Sequence, residues 1–79
     1  MPTIKVLGTG CKNCTLTTKL LEEAALEAGL AIELEKVTDL GQIMGFGALS
    51  TPGVVIGEKL VHSGGVPTRD QIRGWLASL

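Results

Sequence analysis

The spacing of apolar residues changes period at Gly8-Thr9-Gly10, and that change constrains the first half of the chain more than any other feature. Before it, Thr3 to Gly8 (TIKVLG) is a short β-branched run, the signature of a strand that ends in a glycine turn. After it, from Lys12 to Ala28, the apolar positions Leu16, Leu20, Leu21, Ala24, Ala25 and Ala28 recur at three- and four-residue steps, with Lys19, Glu22 and Glu23 on the other side. That is a helix, and Gly29 is placed to cap its C-terminus. Ile32, Leu34 and Val37 then sit among Glu33, Glu35 and Lys36, a partial alternation that predicts a second strand over residues 31–37. Strand, helix, strand over this span implies a parallel pair joined by a right-handed crossover.

The second half is punctuated by local signals. Asp39 is placed to cap a short helix with apolar Leu40, Ile43 and Met44, weakened by Gly41, Gly45 and Gly47. Ser50-Thr51-Pro52-Gly53 breaks the chain, and GVVI and KLVHS around Gly57-Glu58 predict an antiparallel hairpin. Pro67-Thr68-Arg69-Asp70-Gln71 is a helix start with a capping box between Thr68 and Gln71, followed by a buried stripe of Ile72, Trp75, Leu76 and Leu79. The predicted order is β-α-β-α-β-β-α: an α/β domain over residues 1–79 with a four-stranded mixed sheet and three helices. No repeat or low-complexity segment interrupts it.

Composition narrows the function classes. At 79 residues, 44% hydrophobic and 19% charged, with one Phe, one Trp and no Tyr, the core has to be built from Leu, Ile, Val and Ala. The formal charge of -1 and the absence of any basic run argue against a nucleic-acid partner. Met1-Pro2-Thr3-Ile4-Lys5 lacks the pattern of a secretory signal, and no apolar stretch is long enough to span a bilayer. A soluble, cytoplasmic monomer without a membrane partner is expected. In a reducing compartment a cysteine pair is more often catalytic, redox-sensing or metal-binding than a permanent staple, and the tiny loop closed here would constrain the unfolded chain little.

The only two cysteines, Cys11 and Cys14, fall at the mouth of the first predicted helix and one turn inside it. Positions three apart share a helix face and lie within reach of a disulfide that can open and close with little backbone movement. Free N–H groups and the positive end of the helix dipole favour a thiolate at Cys11, and the cation of Lys12 should push the same way. Cys14 is expected to point to the packed side, where desolvation opposes ionisation. Cys11 is therefore the expected nucleophile, Lys12 a residue that tunes its ionisation, and Cys14 the resolving thiol.

Three segments together carry a resemblance: the strand-turn-Cys11-Lys12-Asn13-Cys14-helix unit, Ser50-Thr51-Pro52 opening the third strand, and Gly64-Gly65-Val66-Pro67 before the last helix. The chain resembles the thioredoxin-like superfamily, and within it the small single-domain redox-active disulfide proteins similar to mini-thioredoxins and glutaredoxins. The resemblance implies thiol-disulfide oxidoreductase activity. It also implies a cis peptide bond before Pro52, placed across from the cysteines, with the backbone of Thr51 pairing an extended substrate. The implied partners are disulfide-containing proteins and a thioredoxin-reductase-like or thiol reductant, with no bound cofactor and with glutathione as the candidate small co-substrate. In glutaredoxins a Gly-Gly near Gly64-Gly65 helps to hold it.

The chain departs from familiar thioredoxins at Gly10, where they carry an aromatic, and at Lys12-Asn13, where they carry Gly-Pro or Pro-Tyr. Its first strand has Lys5 as its only charge, so the family's buried acid has no counterpart there. Two other readings use the same cysteines. One is a soft-metal module holding Cu(I) or another thiophilic ion, since two thiolates suit linear coordination but make half of a zinc site. Metal carriers of that type have a ferredoxin-like fold and end in a strand. The other is an adaptor whose disulfide senses oxidant. His62 is expected on a solvated edge, and Trp75, Met1 and Met44 in the core.

Overall fold

A computed structural model of the chain describes residues 2–10 and 12–79. The elements follow the predicted order: β1 (Thr3–Leu7), α1 (Lys12–Ala28), β2 (Glu33–Val37), α2 (Leu40–Gly45), β3 (Gly53–Ile56), β4 (Lys59–Ser63) and α3 (Arg69–Ala77). The strands form one mixed sheet in the order β2-β1-β3-β4. β1 runs parallel to β2, with Val6 opposite Lys36, and antiparallel to β3. The β3–β4 hairpin is antiparallel and turns through Gly57 and Glu58, both at positive φ, as a tight two-residue turn requires.

Alternation along the strands divides the apolar residues between two layers. Ile4, Val6 and Val54 face Leu21 and Ala25 of α1 and Ile72 and Leu76 of α3, with Ile32 and Leu34 packed against the same cluster. Leu7, Val37 and Val55 face the opposite way, toward Ile43 of α2 and Ala48. The apolar pattern of residues 31–37 alternates only in part because β2, an edge strand, sends Leu34 to one apolar cluster and Val37 to the other, on opposite faces of the sheet.

The caps form as their sequences direct. The Asp39 carboxylate accepts the Gln42 N–H at 2.9 Å. Thr68 Oγ1 accepts the Gln71 N–H at 3.1 Å while Gln71 Oε1 accepts the Thr68 N–H at 2.9 Å, the reciprocal pair of a capping box.

Several expected core positions differ. On α1, Leu16 is 45% exposed and Ala28 is exposed, while Thr17 and Thr18 are buried with Cys14, Leu21 and Ala25. The threonines tolerate this because each hydroxyl donates to the carbonyl one turn back, Thr17 to Asn13 at 2.8 Å and Thr18 to Cys14 at 3.1 Å. Met44 and Leu40 are exposed, because six residues of α2 bury a single apolar side chain, Ile43. Leu79 lies past the end of α3, half-exposed, and Trp75 is only partly buried.

Candidate active site

β1 gives way to Gly8, whose N–H donates to Val37 O at 2.9 Å and carries the parallel ladder one step past the strand. The chain then turns and enters α1 at Lys12, which is exposed, and the first turn of that helix contains no acidic residue. Cys14 follows, 6% exposed and disulfide-bonded. Cys11, the expected nucleophile, lies outside the described residues.

The Cys14 sulfur rests against the backbone of Gly8. A Cβ at Gly8 would overlap Cys14 Sγ, would lie 3.1 Å from Cys14 Cβ and would come within 3.8 Å of Thr51 Cβ. Three segments distant in sequence therefore meet at one point: the end of β1, the first turn of α1, and the loop that opens β3. Only a residue without a side chain leaves the sulfur that position.

The third segment contains the cis peptide bond between Thr51 and Pro52. Pro52 is buried and Thr51 half-buried. The loop is held from the side of β4: Ser63 Oγ donates to Ser50 O at 3.0 Å and accepts the Ser50 N–H at 3.4 Å, and the Gly64 N–H donates to Pro52 O at 3.0 Å. The Gly64-Gly65 segment thus braces the proline loop. His62 lies in β4 at the sheet edge, with Nε2 3.0 Å from Gly65 O and its ring 5.8 Å from that of Trp75.

The structure brings Cys14, Thr51 and Pro52 together at one end of the sheet and sets Lys12 at the start of the helix carrying Cys14. Three neighbours of Cys14 escaped the sequence reading. Gly8 read as a turn residue, although its closeness to the sulfur depends on a tertiary crossing. Thr18 stood out by no feature of the apolar pattern. Lys36 lines a small pocket beside Cys14 together with Val6, Thr15, Thr18 and Thr38. One signal did mark Lys36: it has the same strand parity as Ile32 and Leu34, so a charge stands where the alternation calls for an apolar side chain. Among the described residues no group of three or more His, Cys, Asp or Glu side chains could hold a metal ion.

A family model of the thioredoxin domain matches residues 2–77. A thioredoxin of Methanothermobacter thermautotrophicus is 34% identical over 73 residues, covering 92% of this chain and 95% of its own. A thioredoxin of Methanocaldococcus jannaschii is 35% identical over 78 residues, covering 99% of this chain and 90% of its own. Among solved structures, thioredoxin-2 of the malaria parasite, described as a component of its protein secretion machinery, superposes with a TM-score of 0.66. It covers 99% of this chain and 84% of its own at 17% identity, a likeness of fold.

Proposed function

The chain belongs to the thioredoxin family of thiol-disulfide oxidoreductases, and on that premise we propose that Cys11 and Cys14 are its redox pair, cycling between dithiol and disulfide at the expense of partner disulfides. The observation that carries this reading is the convergence of Gly8, Cys14 and Thr51 beside the cis Pro52, which leaves a buried sulfur facing a strand-opening loop. The Thr51-Pro52 loop that leads into the β3–β4 hairpin also sets the fold apart from the ferredoxin-like carriers considered for a soft-metal module.

In the proposed cycle the Cys11 thiolate attacks one sulfur of a partner disulfide. A mixed disulfide forms and one partner sulfur leaves as thiolate. Cys14 then gives up its proton and attacks the Cys11 sulfur, the second partner thiolate departs, and Cys11 and Cys14 remain bonded. Two electrons pass to the partner. A thioredoxin-reductase-like protein or a thiol reductant, glutathione among the candidates, returns them. Cys11 precedes the first residue of α1, so backbone N–H groups and the Lys12 cation favour its ionised form. The backbone of Thr51, whose neighbours Ser50 and Pro52 are bonded to Ser63 and Gly64, pairs with the extended segment that carries the partner disulfide. A reducing cytoplasm suits such a pair.

The roles are tested by trapping. Incubated with a disulfide-containing protein such as insulin, the Cys14→Ser variant accumulates a covalent adduct that a dithiol releases, because the second step is blocked. Cys11→Ser accumulates none. Adducts of equal yield from both variants would contradict the assignment.

A further inference from the structure

Resolution of the mixed disulfide requires a proton to leave Cys14, a side chain held almost wholly out of water. Burial in an apolar surround opposes that ionisation. A carboxylate on β1 would accept the proton, but the only charge on that strand is Lys5, and it is turned away. Its ammonium lies 5.1 Å from the centre of the Phe46 ring, on the α2 side of the sheet. The face toward α1 presents Ile4 and Val6.

The strand next to β1 supplies a different charge. The parallel register sets Lys36 beside Val6, on the face that α1 covers. Toward the N-terminal end of β2 that face carries Leu34, packed on the apolar cluster; one step further along, it reaches the first turns of α1. There the pocket of about 40 Å³ opens beside the sulfur, with room for ordered water. Its lining includes Cys14, Thr15, Thr18 and Thr38, with Lys36 as the single charged residue among the described ones.

From this juxtaposition we infer that Lys36 is the positioning residue for the resolving thiol: its ammonium stabilises the Cys14 thiolate as it forms, while water in the threonine-lined pocket takes the proton to solvent. The inference rests on the roles proposed above for Cys11 and Cys14. No general base is required. The S–H bond of Cys14 breaks to hydrated proton and thiolate, the thiolate forms the bond to Cys11 sulfur, and the bond from Cys11 to the partner breaks with the electron pair on the departing sulfur. A cation lowers the cost of the charged intermediate form directly, where a carboxylate would act by accepting the proton. Lys36 is itself exposed, so its effect is of modest size and weakens with added salt.

The test uses Cys11→Ser protein, in which Cys14 is the one thiol, and follows thiolate absorbance with pH. Replacing Lys36 by Met should raise the midpoint by about one pH unit, the low end of what an opposite charge nearby gives. Lys36→Arg should leave it close to the parent. Lys36→Gln serves in place of Met if the latter does not fold. A neutral variant whose midpoint coincides with that of the parent overturns the inference. This titration does not depend on turnover, so it stands or falls apart from the trapping result.

A second readout is kinetic. In protein whose Cys11 is preloaded with an aromatic thiol, Lys36→Met should slow release of that thiol about three- to fivefold at neutral pH, since a tenfold loss of thiolate is partly offset by the greater nucleophilicity of the more basic sulfur. At alkaline pH, where Cys14 is ionised in both proteins, the difference should reverse, the variant releasing the thiol about threefold faster because its sulfur is the more basic nucleophile. A loss of rate that is the same at every pH would mean that Lys36 acts on packing alone and would overturn the assigned role.

Discussion

Gly8 is the residue on which the site geometry turns. It is buried, its N–H extends the β1–β2 ladder, and the Cys14 sulfur occupies the space where its side chain would be. In the disulfide-bonded state the sulfur is fixed by a covalent bond and cannot move aside; as a free thiol Cys14 can change rotamer. Gly8→Ala should therefore destabilise the oxidised protein by about 1–3 kcal/mol, the usual cost of overpacking, and the reduced protein by less. Urea unfolding of both forms checks this. An oxidised Gly8→Ala protein as stable as the parent would mean that the sulfur does not rest against Gly8.

At the scale of elements, the chain holds its short helices by their ends. α3 has nine residues, and it begins with Thr68 and Gln71 bonded reciprocally. Thr68→Ala removes the acceptor for one orphan N–H and should cost about 1 kcal/mol, read as a lower urea midpoint with an unchanged slope. Because α3 packs on the cluster that also holds α1, a loss well above that figure would show that the cap positions the helix as well as ending it.

Such local chemistry is why the elements could be read from the sequence. The glycine turn, the caps at Asp39 and Thr68, and the Gly57-Glu58 hairpin each fix a boundary through residues a few positions apart. What stayed hidden depends on contacts across the fold. Thr17 and Thr18 look like surface residues until their hydroxyls are seen to be satisfied by α1's own carbonyls, which lets them pack inward while Leu16 faces outward. Gly8 and Lys36 acquire meaning only once Cys14 is set beside them. The cysteine motif and Thr51-Pro52 were legible as separate signals, the second through family resemblance. Their meeting at one end of the sheet is a property of the β2-β1-β3-β4 order, which no single segment encodes.

The whole molecule is a sheet covered on one face by α1 and α3 and, more thinly, on the other by α2. The crossover from β1 through α1 delivers the cysteine turn to the same sheet end at which the loop before β3 arrives, and β4 returns beside that loop to brace it. The two cysteines close only a very short loop and so add little as a staple. The apolar clusters on the two faces of the sheet hold the fold, as the proposed exchange at the cysteine pair requires. Reduction of insulin disulfides driven by dithiothreitol measures that exchange most directly. The parent protein should accelerate it catalytically, and Cys11→Ser should fall to the rate with no protein added. A Cys11→Ser protein that keeps the parent rate would contradict the account.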